Sequence, residues 1–257
     1  MEYNVTAIIQ ARMTSARLPG KVMKEVLGRP LLSYLIGRVQ CCKCIKRIIL
    51  ATTMNPEDDE IAALGFTMGI DVFRGSENNV LERFYEAATL YNAEHIMRVT
   101  ADCPLIDPEI LTMLIEYYFS ENLDYVSNCA RPTLPDGLDA EIFNIDTLEY
   151  TYNHAMLPSE IEHVTPYIRS HSEIFKIGSW EYKEDLSQMR WTVDEKEDFD
   201  FVRQVLETLY PANRNFRMKH ILELIYKRPE LAQINIHLIR NEGLYKSLEE
   251  DEKLLKK

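Results

Sequence analysis

Short apolar runs alternate with stretches of helical spacing through the first half of the chain. Val5 to Ile9 reads as a buried strand, and residues 30–42 (PLLSYLIGRVQCC) carry apolar positions at the spacing of a first helix. Arg47 to Thr52 reads as a second strand. Asn55-Pro56 then offers an N-cap and first-turn proline for a helix reaching Met68. Ile70 to Phe73 is a short strand, and the second part of RGSENNVLERFYEAATLY is helical. His95 to Val99 is the next strand, Asp107-Pro108 caps a helix to about Ser120, and Leu123 to Ser127 closes the alternation. Five strands alternating with helices predict an α/β fold, a mostly parallel sheet flanked by helices on both faces.

The pattern changes after Asn128. Residues 129–137 (CARPTLPDG) are loop chemistry, Gly137 to Phe143 is strand-like, and Asn144 to Met156 is helical. Ser159 to Ser170 is helical around Pro166, while Ile174 to Trp180 and Met189 to Val193 suggest antiparallel strands. Glu195 to Tyr210 and Met218 to Tyr226 are amphipathic helices, and the charged residues 244–257 are expected to fray. We therefore expect one domain over residues 1–228 with a small inserted lobe near 130–190, and a tail over 229–257.

The loop after the first strand carries Arg12, Ser15, Arg17 and Lys21 before the turn ends, with Pro19-Gly20 marking it. Net charge is −12, but residues 1–50 alone balance at +7 and the remainder at −19. A cationic segment in an acidic protein suits a small anionic ligand better than a long nucleic acid. The loop is not a P-loop, since Ser15 stands where the first glycine belongs and Val22 follows the lysine. No apolar run approaches membrane-spanning length, and MEYNVTAII lacks signal-peptide features, so a cytoplasmic location is expected. Five cysteines, three of them in CCKC, lack the paired spacing of a zinc site and read as free thiols.

Two carboxylates face the same sheet edge as that loop. Asp102 follows the fourth clear strand in RVTADCPLID; a turn-capping aspartate ahead of Pro104 would look the same. Asp194, in RWTVDEKEDF, also has capping-box spacing with Glu197. Taken together, two carboxylates at strand ends opposite a cationic loop are what a Mg²⁺-nucleotide site requires. The DGLDAE cluster and the segment EHVTPYIR, with His163 and Arg169, lie in the lobe, where a second polyhydroxylated substrate could bind.

AIIQARMTSARLPGK, VFRGSENNVLERF, RVTADCPLID, DGLDAEIF, EHVTPYIR, RWTVDEKEDF and NEGLYKSL occur in order along nearly the whole chain. This series resembles the cytidylyltransferases that make CMP-activated sugar acids, the Kdo and acylneuraminate enzymes, and within them a spore-coat polysaccharide branch. The resemblance implies a nucleotide-diphospho-sugar transferase (GT-A-like) fold, a homodimer with the lobe at its interface, and Mg²⁺ as cofactor. It implies transfer of CMP from CTP to a sugar acid or related acceptor, with pyrophosphate released, in surface polysaccharide biosynthesis. Arg12, Lys21 and Asp102 would be catalytic. Arg12, Ser15, Arg17 and Lys21 would hold the nucleotide, with Arg74, Gly75, Ser76 and Thr100 near it. Gly137, Asp139, Glu141 and His163 fall near the sugar, and Asp102 and Asp194 at the metal. One departure stands out: Thr100-Ala101-Asp102 replaces the Gln-Gly-Asp of the Kdo enzymes.

Two other classes compete. A glycosyltransferase of the related fold would use a finished nucleotide-sugar, but its usual Asp-x-Asp is here Asp102-Cys103-Pro104. A non-catalytic nucleotide-binding protein would have no need to keep both carboxylates and the loop cations.

Overall fold

The computed structural model describes residues 3–256. Strand β1 (Val5–Gln10) is followed by a small hairpin, β2 (Glu25–Val26) and β3 (Arg29–Pro30), and by helix α1 (Leu31–Gln40). Then come β4 (Ile45–Thr53), α2 (Asp59–Thr67), β5 (Asp71–Gly75), α3 (Val80–Leu90) and β6 (His95–Thr100). Helix α4 (Pro108–Ser120) leads to β7 (Tyr125–Ser127), and a long loop to β8 (Glu141–Asn144) and α5 (Ile145–His154). Short helices α6 (Pro158–His163) and α7 (Pro166–Ser170) precede β9 (Ile177–Ser179). Helices α8 (Lys196–Leu209), α9 (Met218–Lys227) and α10 (Glu242–Leu255) complete the order.

The seven strands line up as β5-β4-β1-β6-β8-β7-β9. The first four run parallel, with Ile8 of β1 opposite Ile49 on one side and Arg98 on the other. Strand β8 runs against both β6 and β7, and β9 pairs parallel with β7. The unbroken apolar run of β1 is explained by this position: it is central and covered on both faces. Side chains from α1, α2 and α4 pack on one face, and those from α3, α5 and α7 on the other. A third cluster joins α8 and α9 to Trp191 and Val26. Local caps fix the helix starts: Asn79, Asp107 and Asn144 accept from the backbone N–H of Glu82, Glu109 and Thr147.

Three expectations are corrected. Met189 to Val193 is not a strand: Trp191 N–H donates to Asp136 and Val193 N–H to Asp102, two different segments, so no continuous ladder forms. The β-like stretch before it pairs parallel, not antiparallel. The terminal segment does not fray from the body; α10 lies on α6 with Ser247 and Asp251 buried, and Asp251 accepts from the Ser159 N–H at 3.0 Å. The β2-β3 hairpin was not anticipated. Its turn puts Leu27 and Gly28 at φ 51° and 69°, a conformation for which leucine gives no signal.

Candidate active site

The functional edge of the sheet is built from its carboxyl ends. Past β1 the chain turns through residues 11–20, where Gly20, at φ 67°, returns its N–H to the Met13 carbonyl at 2.9 Å. Ser15 spends its hydroxyl inside this loop, accepting weakly from the Leu18 N–H at 3.4 Å. The loop is tied down by Asp58, which is buried and accepts from the Met13 N–H (2.7 Å) and from Thr53 (2.5 Å). Nothing in the sequence marked Asp58 except its place in an acidic helix start.

Past β6, Ala101 extends the ladder by donating to the Gln10 carbonyl. The Asp102 carbonyl then accepts from Val193 N–H (2.8 Å) and Thr192 Oγ1 (3.1 Å). These two bonds carry Asp194 to the side of Asp102. Both carboxylates grip one ammonium: Lys21 Nζ lies 3.2 Å from Asp102 Oδ2 and 2.7 Å from Asp194 Oδ1. Burial opposes the lysine's charge, yet Asp102 and Asp194 hold its pKa above the ordinary lysine value. Burial likewise opposes the Asp102 charge, but Lys21 and bonds from Thr100 and Cys103 bring it down to about 2.

Asp194 is not a helix cap. The cap of α8 falls one residue later, where the Asp198 carboxylate accepts from the N–H groups of Asp194 and Glu195. The Asp194 side chain is thereby released to the site, bonded to Lys21, to Arg17 (2.8 Å) and to Arg190 (2.9 Å). Arg190 is buried and also holds Asp136 (2.6 Å) and Asp198 (2.9 Å), so one guanidinium gathers three carboxylates.

Two cavities meet here. One, about 340 Å³, lies over the loop and is lined by Arg12, Ser15, Lys21, Val80 and Arg83. The other, about 210 Å³, lies over the lobe and is lined by Asp136, Asp139, Glu141, Thr165 and Arg169. Arg17, Arg98, Thr100, Asp102, His163 and Asp194 line both. In the lobe cavity Glu141 is bonded to Arg98, Tyr125 and Thr165, and Asp139 to Arg240 at 2.6 Å. Burial raises Asp139 to about 7 against the pull of Arg240. Asn128 closes the lobe loop, donating to the Leu138 carbonyl (2.8 Å) and accepting from the Ala140 N–H (2.9 Å).

Four of the residues named from sequence are not brought to either cavity. Arg74 turns to the β4-α2 connection, donating to the Thr53 and Asn55 carbonyls and to Asp59. Gly75 packs under Phe73 and Arg83, and the Ser76 hydroxyl accepts from the Asn79 N–H. Gly137 serves the backbone: at φ 105° a Cβ would sit 2.4 Å from the Thr192 nitrogen, so glycine lets the two segments touch. Conversely Arg83, Arg98, Arg190 and Arg240 were missed. Arg98 alone left a signal, a cation inside an otherwise apolar strand.

Among the described residues no cluster of three or more His, Cys, Asp or Glu has the geometry of a metal site, and no helix is long and apolar enough to cross a membrane.

A mostly parallel sheet of this order flanked by helices is the nucleotidyltransferase fold, and the family match makes the chain a nucleotidyltransferase. The cytidylyltransferase family model matches residues 6–242, and the chain belongs to that family. It is 35% identical over 248 residues to an uncharacterised protein of Methanocaldococcus jannaschii, covering 96% of this chain and 99% of that one. It is 33% identical to the spore coat polysaccharide biosynthesis protein SpsF of Bacillus subtilis, covering 89% and 97%. A solved cytidylyltransferase of Leptospira borgpetersenii superposes with a TM-score of 0.86 at 31% identity, covering 94% and 100%.

Proposed function

We propose that the protein transfers CMP from CTP to a hydroxyl of a sugar acid or related acceptor, releasing pyrophosphate, in surface polysaccharide biosynthesis. The observation that carries this reading is the junction: two cavities, one cationic, share Asp102 and Asp194 on a single lysine. The loop cavity takes the triphosphate, where Arg12 and Lys21 balance the charge that grows on departing pyrophosphate. The lobe cavity takes the acceptor and holds its hydroxyl in line with the α-phosphate.

The donor set fits Mg²⁺, which favours one or two carboxylates completed by phosphate oxygens and water. Bound there, the ion supplies Lewis acidity at the α-phosphate. Lys21 Nζ sits between the same carboxylates, so it must be able to turn toward phosphate when a cation takes its place. We further propose a cytoplasmic homodimer joined through the lobe, a state that light scattering would read directly.

The test is pyrophosphate release from CTP, screened over 3-deoxy-manno-octulosonate, N-acetylneuraminate and phosphorylated polyols. Acceptor-dependent release should require Mg²⁺ and fall by about 10²–10³-fold in Asp102→Ala. Wild-type turnover in that variant would remove Asp102 from the metal site. Release of UDP or GDP from a nucleotide-sugar, without pyrophosphate, would turn the reading toward a glycosyltransferase.

A further inference from the structure

His163 stands at the junction of the two cavities, on the last turn of α6, and its hydrogen bonding fixes its chemistry. Its Nε2 lies 3.0 Å from Ser247 Oγ of α10. That hydroxyl has two further neighbours, Glu162 Oε2 at 2.9 Å and the Gly243 carbonyl at 3.2 Å. Both are acceptors only, and Glu162 Oε2 also lies 3.9 Å from Nε2, so an imidazole donor is the partner this cluster of acceptors lacks. An Nε2–H donating to Ser247 satisfies the cluster, and this is the tautomer on which the role of His163 rests. In the neutral ring Nδ1 keeps its lone pair, and among the described residues it has no hydrogen-bond partner.

The backbone next to it is strained in the same service. Val164, fully buried, has φ 69° and ψ −48°, a strained γ-turn closed by the Thr165 N–H on the His163 carbonyl at 2.8 Å, rare for a β-branched residue. This turn ends α6 at His163 and sends Thr165 back to Glu141, where its hydroxyl donates at 2.7 Å. The imidazole is thus held against α10 at a position that lines both cavities.

We infer that His163 is the general base of the transfer and that Ser247 is its positioning residue. This rests on the cytidylyl-transfer reading above. The acceptor O–H proton passes to His163 Nδ1 as the acceptor oxygen bonds to the α-phosphorus. The bond from that phosphorus to the β-phosphate's bridging oxygen breaks, and pyrophosphate leaves with the electron pair. The imidazolium then returns its proton to water.

Burial, with Arg98 and Arg169 beside it, lowers the His163 pKa from its ordinary 6.5, outweighing Glu162 and Glu141. Arg17, Asp102, Asp194, Glu242 and Lys246 also line its cavities. The ring is therefore neutral at pH 7, as a base must be.

The test uses the full chain with CTP, Mg²⁺ and each of 3-deoxy-manno-octulosonate and N-acetylneuraminate. The wild type should lose kcat as pH falls below 6.5. His163→Gln, which can still donate to Ser247, should lower kcat about 10²-fold with both KM values little changed, and should lack that acid limb. Ser247→Ala should keep the limb, shift its midpoint and lower kcat about 10-fold, since a mispositioned base loses only part of its effect. Nitrogen-15 NMR of the wild type should show His163 as the Nε2–H tautomer at pH 7.5, drifting toward a mixture in Ser247→Ala. Wild-type kcat or a retained acid limb in His163→Gln, or the Nδ1–H tautomer in the wild type, overturns the assignment alone. A wild type inactive with both sugar acids overturns the sugar-acid reading and this assignment with it.

Discussion

The two cavities share one wall yet treat charge in opposite ways. Over the loop, Lys21 and Arg17 are held by Asp102, Asp194 and Glu242, but Arg12 and Arg83 stand with little to neutralise them. Arg12 reaches its nearest carboxylate, Glu162, only at 4.0 Å. Buried Arg83 donates to the Ser76 carbonyl and, among the described residues, has no carboxylate within ion-pair distance. Burial, reinforced by Arg12, lowers its pKa to about 10. Over the lobe the charges arrive already matched: Arg98 with Glu141, Arg240 with Asp139, Arg190 with Asp136. The first arrangement stores repulsion that an incoming polyanion relieves. The second is a rigid polar frame that has little net charge to offer and selects by shape and hydrogen bonding.

The contrast can be broken most forcefully at Lys21, where the cationic side meets the carboxylates. Lys21→Met should cut pyrophosphate release by about 10²-fold or more, because Asp102 and Asp194 then face each other and the triphosphate loses a cation. Steady-state assays of CTP turnover would read it, and an undiminished kcat would mean that the loop charge is incidental.

Next is Arg190, the centre of the matched side. Arg190→Met leaves Asp136, Asp194 and Asp198 without their shared partner and should destabilise the fold by about 3–5 kcal/mol. At about 2–4 °C per kcal/mol for a chain of this size, the melting temperature should fall by roughly 10 °C. A shift below about 3 °C would mean that the frame is not rigid after all.

Asp139 offers a finer probe. Its folded pKa is raised, so its contribution to stability is full below the ordinary 3.8 and is lost as pH rises through about 7. Asp139→Asn should therefore lose less stability than wild type between pH 4.5 and 7.5, measured by urea midpoints at each pH. Equal losses would place the carboxyl in an ordinary environment.

The smallest effect is expected at Arg74, which lines neither cavity. Arg74→Ala should leave the KM for CTP within about 2-fold, at a modest stability cost from its lost bond to Asp59, an exposed partner. A large rise in KM would return Arg74 to the nucleotide site.

The same contrast explains what could be read from the sequence. Strands, helices and the loop of residues 11–20 are local facts, written in apolar spacing, caps and turns, and Asp102 follows from its place just past the end of β6. The strand expected before Asp194 does not form, and Asp194 reaches Asp102 through the bonds of Thr192 and Val193. Residues of the matched side depend on partners far along the chain: Arg240 meets Asp139 and Arg98 meets Glu141 only after the sheet forms. No local pattern distinguishes such an arginine from a solvated one. Arg74, Gly75 and Ser76 line neither cavity, because a motif's position says which loop is near and not which side chain turns inward. The charged terminal helix was misjudged for a related reason, since its contacts to His163 and Ser159 are polar and composition counts them as solvent-facing.

The reversed strand β8 has one further consequence. Because it runs against β6 and β7, the chain leaves β7 and enters β8 on the same edge of the sheet, and Asn128 buttons the two ends together. The exposed stretch of the connecting loop, residues 130–132, can be lengthened without sliding either strand, and doubling such a loop costs only about 0.6 kcal/mol. The buried end of the loop has the opposite character: Asp136 shares Arg190 with Asp194 and Gly137 touches Thr192, so a change there reaches the wall the two cavities share.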